Sequence, residues 1–412
     1  RLHCCFDHLT GGQIFPPHRI FLQLIVQLIL GFRSLRDQVY YRHDPMVQRL
    51  LGLNELPDAA TICRQLKRID QKAIDRLHAL LRNLALERLA LLVPARVTIE
   101  FDGVVQSTKR RAEGTAAGYN PKKKGQRSYY PLFATIAQTA QVLDFLHRSG
   151  DVHDSRGARD FILECIRRVR AQLPHATIEV RMDAAFFSDE IVQTLSELGV
   201  EFTIAVPFER FPRLKQKIED RTYWYHINQT KSGFDEQWKP RKWARRYRFV
   251  FICQQRAVQR KGPIQLDLFE PNDIDYDYKV VVTNKTTKLG NVVAFHEGRG
   301  QQENLFSQLS SQCYMQHVPV RHRHGNELYL TATVLSHNLL HELQMRTEPR
   351  QRHTNASRTP LWAFLHSATW RARWLHRAGR FTSPQGRLTL TVAGDNAIAG
   401  QFRDMLGQLS PN

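Results

Sequence analysis

The stretch TIEVRMDAAFFSDEIVQTLSELGVEFTIAVPF, Thr177 to Phe208, carries the fold in its periodicity. Thr177–Asp183 is rich in alternating β-branched and apolar residues and reads as a strand. Ser188–Leu198 repeats apolar residues at helical spacing, and Gly199 supplies the left-handed residue that ends a helix. Glu201–Phe208 reads as another strand. A strand that follows a helix in parallel needs a right-handed crossover, so this unit belongs to a sheet with helices on it. Outward toward the N-terminus, VTIEFD (Val97–Asp102), SYYPLFATIAQT (Ser128–Thr139) and QVLDFLHRSG (Gln141–Gly150) read as strands, and Ser155–Leu173 as an amphipathic helix. The order strand, strand, strand, helix, strand, helix, strand predicts an α/β fold with a mixed sheet and flanking helices.

Beyond this core the texture changes. Residues 1–94 show helical periodicity, with a buried helix at Ile20–Phe32, a helix starting near Asp58 and another over Leu77–Leu92 that Pro94 stops. This gives a helical N-terminal domain at 1–94, basic enough to bind DNA ends. Residues 95–208 form the first part of the core. Residues 209–262 hold 15 Lys and Arg against 5 Asp and Glu, together with ten aromatics. With strand-like runs at Tyr247–Cys253 and Tyr276–Thr283, the segment 209–290 is predicted to be a basic, β-rich insertion. Helices at Gly300–Ser311 and Glu327–Gln344 complete the core over 291–345. A basic C-terminal region, 346–412, follows, with 8 Arg against one Glu between Arg346 and Arg380.

The whole chain of 412 residues has a net charge of +20, which points to a polyanionic partner, nucleic acid first. Six scattered cysteines without zinc spacing exclude a disulfide-built secreted module. The longest apolar run, Ile20–Phe32, is too short for the ~20 residues of a spanning helix, so no membrane association is expected. The absence of a leader predicts a cytoplasmic protein, and Arg1 in place of Met suggests a missing N-terminal piece.

Two acids end predicted strands, Asp102 and Asp183, at the sheet edge where open α/β sheets bind ligands. Carboxylates gathered there repel unless a cation neutralises them. Hard Mg²⁺ prefers oxygen ligands, and two such ions suit phosphodiester displacement. A third acid is needed, and by position Glu297 and Glu303 both qualify. A strand-terminal Asp taken alone is more often a turn or cap residue. Arg299, four residues before Glu303, could share a face with it. Lys122, Lys123 and Lys124 form a basic run suited to a DNA backbone. WKPRKWARRYR interleaves Trp238 and Trp243 with Arg241 and Lys242, a pattern that suits unpaired bases as well as a small core. At least one of Trp224, Trp238 and Trp243 is expected to be partly exposed. His322, His324, His337 and His341 read as non-catalytic.

Three segments carry a family resemblance: DGVVQST…AAGYNPKKKGQRSYYPLFA (Asp102–Ala134), VRMDAAFFSDEIVQTLSELGVEFTIAVPF (Val180–Phe208) and FHEGRGQQENLF (Phe295–Phe306). The chain resembles the DDE transposases of bacterial insertion sequences, the IS-four-like group and its IS-thirteen-eighty branch. In that family the third acid follows a Tyr-x-x-Arg-x-x-x-Glu pattern, often with Lys seven residues on. Here Arg299 takes the Arg place and Glu303 the acid, which selects Glu303 over Glu297. His296 stands at the Tyr position and Ser310 at the Lys position.

The resemblance implies a ribonuclease-H-like core interrupted by the insertion. Its catalytic and metal-binding residues would be Asp102, Asp183 and Glu303, holding two Mg²⁺ ions with Mn²⁺ able to substitute. It further implies cleavage and transfer of double-stranded DNA at element ends and target, by a homodimer on the bacterial nucleoid. A catalytically decayed DNA-binding protein and a stand-alone metal-dependent nuclease are the alternatives.

Overall fold

Helices form in the N-terminal region where capping residues and apolar spacing coincide. Asp58 and Asp70 cap Ala59–Leu66 and Gln71–Leu92, each accepting a hydrogen bond from the first-turn backbone. Gly31, at φ 93°, closes the helix Pro17–Leu30. The computed structural model describes residues 1–9, 14–118, 120, 123–152, 157–256, 276–352, 358–394 and 396–409. The chain divides into two units, 1–94 with 103–152 and 302–412, and 95–102 with 153–301.

In the first unit these helices share one apolar core with the hairpin Leu132–Ile136 and Gln141–Leu146, the helix Arg323–Thr347 and the inward face of Gly300–Gln312. Leu24, Leu28, Leu77, Leu81, Phe133, Leu309 and Leu330 are fully buried there, each contributing roughly 1.5–3 kcal/mol relative to exposure. The strand expected over Ser128–Thr139 is in fact two. Pro131 has no N–H to give a ladder, so Arg127–Tyr129 joins a three-stranded sheet with Gln106–Ser107 and Ala116–Ala117, while Leu132–Ile136 pairs elsewhere. His337 and His341 are buried on Arg323–Thr347 facing the carbonyls of Ala140 and Thr139, and burial lowers both pKa values.

This unit also buries a charged network. His78 faces Asp144 through Nδ1 at 2.6 Å and Glu327 through Nε2 at 3.4 Å; Arg82 pairs with Asp144, and His147 lies 3.5 Å from Glu327. Burial alone would lower the His78 pKa, but hydrogen bonds to the two carboxylates outweigh it and lift the value to about 9. A raised folded-state pKa stabilises fully below the unfolded value near 6.5 and loses that contribution as pH rises through 9. Thermal unfolding should show a loss of about 3 kcal/mol between pH 6.5 and 9.5, and His78→Gln should flatten this limb.

The second unit is built on a mixed sheet. Its strands are β1 (Arg96–Gly103), β2 (Thr177–Met182), β3 (Glu201–Val206), β4 (Tyr225–Asn228), β5 (Lys231–Trp238), β6 (Tyr247–Gln255) and β7 (Tyr276–Thr283), in the order β1-β2-β3-β7-β6-β5-β4. β1, β2 and β3 are parallel and the others antiparallel. Helices α1 (Ala158–Gln172), α2 (Asp189–Glu197), α3 (Pro212–Glu219) and α4 (Leu289–Glu297) accompany them. The strands of the 209–290 segment thus continue this sheet through β7, which pairs with β3. No helix among the described residues is long and apolar enough to cross a membrane.

Candidate active site

β1 and β2 run in parallel with Glu100 opposite Arg181 and Phe101 opposite Met182. Asp102 lies one residue past the last register pair on β1 and Asp183 directly follows β2, so both acids sit at the same end of neighbouring parallel strands. Both acids are half-buried. Asp183 accepts a hydrogen bond from the Ala185 N–H at 3.0 Å and so caps the short turn Ala184–Phe186. Asp102 faces Arg299, whose Nη2 lies 3.3 Å from Oδ2.

The acids stand above a buried ion pair. Arg181, 1% exposed, lies 2.5 Å from Glu100, donates to the Phe295 carbonyl at 2.9 Å and stacks over the Phe295 ring at 5.2 Å. Burial pushes the Glu100 carboxyl up to about 7, while Arg181 and Arg299 pull it down. The same guanidinium shapes the turn that aims Arg299. A Cβ on Gly298 would come within 2.0 Å of Arg181 Nη1, and Arg181 is too well held to yield. Gly298→Ala should therefore cost about 1–3 kcal/mol, read as a loss of stability in unfolding, by pushing on Arg181. Gly300→Ala, with open space around its Cβ, should leave unfolding nearly unchanged.

His296, at the end of α4, places Nδ1 3.0 Å from the Thr203 hydroxyl on β3. Burial, then Arg299, Arg181 and Lys279, holds its pKa down at about 3, so the ring is neutral near pH 7. Glu297 is engaged by Lys231. Glu303 is exposed in the first turn of Gly300–Gln312, while Gln302, Leu305 and Leu309 bury the opposite face and Gln302 donates to Thr135 at 3.0 Å. Glu303 belongs to the first unit, and Asp102, Asp183 and Arg299 to the second. Among the described residues, no group of three or more His, Cys, Asp or Glu is placed to hold a metal ion. Of the three acids, Asp102 and Asp183 lie at the same end of neighbouring parallel strands.

A family model described as Transposase DDE domain group 1 matches residues 11–411. The chain belongs to this DDE transposase family. No curated protein matches the transposase. Among solved structures it is similar to the piggyBac transposase in a synaptic complex with hairpin DNA, at 11% identity and TM-score 0.46, over 84% of this chain and 71% of that one. It also matches Mos1 transposase in a paired-end complex with the left transposon end, at 9% identity and TM-score 0.18, over 47% of this chain and 60% of that one. A Mos1 mariner paired-end complex with Mn matches over the same shares, at 10% identity and TM-score 0.19.

Of the basic and aromatic residues singled out in the transposase, Lys122 lies outside the described residues. Lys123 and Lys124 are exposed, and the Lys123 N–H donates to Asn120 at 3.0 Å. Arg241 and Lys242 are exposed on the loop after β5. Trp243 is buried against Phe187 and Tyr247, with ring centroids at 4.8 and 5.9 Å, and Lys239 ties the loop down through the Trp243 and Ala244 carbonyls. By its burial Trp243 is a packing residue that anchors the basic loop. Trp224 and Trp238 stay half-exposed, Trp238 packing on Phe249 and Phe211. Sequence reasoning missed the Glu100–Arg181 pair, whose one visible signal was an acid and a base of opposite charge, each flanked by apolar residues, in two neighbouring strands.

Proposed function

We propose that Asp102, Asp183 and Glu303 together hold two Mg²⁺ ions, with Mn²⁺ able to substitute, and that the transposase cuts DNA at its element's ends and joins them to a target. The observation that carries this reading is the juxtaposition of Asp102 and Asp183 at the ends of neighbouring parallel strands, with a guanidinium 3.3 Å from one of them. The carboxylate oxygens of Asp102 and Asp183, at a partly open strand end that already attracts positive charge, are of the kind a hard divalent cation takes, and Glu303 would complete the set. When bound, such ions supply the charge that favours attack by water or a 3′-hydroxyl and departure of the 3′-oxygen.

The side chains do the rest. The Glu100–Arg181 pair holds the ends of β1 and β2 and the Gly298 turn in place. Arg299 exchanges Asp102 for a phosphate of the bound strand, an interaction that its planar fork suits. His296, neutral, contributes a hydrogen bond rather than a charge. Lys123, Lys124, Arg241 and Lys242 grip backbone phosphates, and Trp238 offers a face to an unstacked base.

In the same reading the chain belongs to the IS-four-like group and its IS-thirteen-eighty branch. Residues 95–208 and 291–345 form a ribonuclease-H-like core interrupted by 209–290, residues 1–94 bind element ends, and 346–412 add basic surface. The active form is a homodimer on double-stranded DNA, working in the bacterial cytoplasm on the nucleoid. The test is incubation with element-end duplex, with and without Mg²⁺. Metal-dependent nicks with 3′-hydroxyl ends, followed by strand joining, support the proposal. Nicks without joining indicate a nuclease, and binding without nicks in Mg²⁺ or Mn²⁺ indicates a decayed DNA-binding protein.

A further inference from the structure

Three arginines from separated parts of the first unit open into one pocket. Arg111, Arg127 and Arg321, with Ala112, Glu113 and His322, line an open cavity of about 620 Å³. All three guanidinium-bearing residues are exposed. Arg127 directs donors at Thr115, whereas Arg111 and Arg321 have no side-chain partner among the described residues. The single acid in the wall, Glu113, already accepts the Arg323 N–H at 3.2 Å. Three like charges sharing a cavity with one carboxylate repel unless an anion enters.

The cavity is also built rather than incidental. The Glu113 N–H donates to the Arg321 carbonyl at 2.7 Å, and the Thr108 N–H to the Arg127 carbonyl at 2.9 Å. The Thr115 hydroxyl donates to the Ala112 carbonyl at 2.6 Å, and the Tyr129 hydroxyl donates to the Glu113 carbonyl. Ala112 is plugged into a small apolar cluster with Tyr129 and Val318. The loop, the strand Arg127–Tyr129 and the start of Arg323–Thr347 are thereby stitched together, so little ordering cost remains when an anion binds. Lys123 and Lys124 stand exposed on the loop that leads into Arg127, extending the basic surface away from the pocket.

We infer that this pocket is a phosphate-binding site that grips the sugar–phosphate backbone of DNA, at least two phosphates being held by Arg111, Arg127 and Arg321. The inference rests on the reading of the chain as a transposase that binds DNA. Guanidinium forks match phosphate oxygens in pairs, and the run of basic side chains continuing from the pocket suits a polymer better than a single anion.

The test compares the full-length protein with the double variant Arg111→Ala/Arg321→Ala, using fluorescence anisotropy on a duplex of roughly 30 base pairs between 50 and 200 mM salt. Each phosphate that is no longer neutralised lowers the slope of log affinity against log salt by about 0.9. The double variant should therefore lose about two units of slope, and its affinity should fall about tenfold less over that salt range. Arg111→Lys/Arg321→Lys, which keeps the charges, should retain most of the slope. An unchanged slope in a folded double variant overturns the pocket while leaving the transposase reading intact. A wild-type protein with no salt-dependent binding overturns both. Inorganic phosphate that protects the pocket arginines from a guanidine-directed reagent, with duplex giving no protection, shows a small-anion site and also overturns the inference.

Discussion

Asp102→Ala, Asp183→Ala and Glu303→Ala should each abolish strand cleavage while leaving DNA binding largely intact. On the proposed reading the acids would serve the metal ions, whereas affinity would come from basic residues elsewhere on the chain. Loss of a group that acts only in the reaction is expected to appear in kcat and in kcat/KM together. Glu297→Ala should keep its activity, because Glu297 is occupied by Lys231 and the proposed ion set does not include it. Cleavage by each variant on element-end duplex, beside its binding to the same duplex, checks all four. A dead Glu297→Ala with an active Glu303→Ala would reverse the choice of third acid.

Binding should weaken steeply with salt. Neutralising six to ten phosphates costs about 10³–10⁵ in affinity between 50 and 200 mM salt, and a net charge of +20 is enough to meet that many phosphates. The residues expected to contribute are exposed ones, among them Arg241, Lys242, Arg245, Arg246, Arg350 and Arg352. Arg371 lies within the basic tail but is excluded. It is buried and donates to the Leu28, Ile29 and Gln312 carbonyls, closing the C-terminal end of the helix Pro17–Leu30. Arg371→Ala should lower stability without changing the salt slope, whereas Arg241→Ala should do the reverse. A nearly flat salt dependence of the wild type would show that these clusters do not meet DNA.

The parts of the fold that were legible in sequence are those governed by local chemistry. Strand-terminal Asp102 and Asp183, the Gly199 stop and the Asp58 cap follow from spacing and from residues with one conformational use. Pro131 was equally visible, and its break in the Ser128–Thr139 strand could have been drawn from the missing N–H. Other features depend on residues far apart in the chain. Arg111 and Arg321 meet across 210 positions, and nothing in RRAEGT or VRHRHG marks either as half of a pocket. Arg181 reads as one more polar residue in a strand until Glu100 and Phe295 enclose it. The basic, aromatic-rich composition of 209–262 marks the start of the 209–290 segment, but which strand its β-runs join was not legible: β7 pairs with β3, so they continue the sheet. The tryptophans divide on packing alone, Trp243 being buried and Trp238 half-exposed within the same motif.

The claim that the strand-end acids bind the catalytic metal is tested most directly by changing the donor atom. A thiolate is a softer ligand than a carboxylate, and Mn²⁺ accepts it more readily than Mg²⁺ does. Asp102→Cys and Asp183→Cys, assayed on element-end duplex in each metal, should be inactive with Mg²⁺ and regain cleavage with Mn²⁺, while wild type cleaves in both. Cleavage by both Cys variants at the wild-type rate in Mg²⁺ would contradict the account.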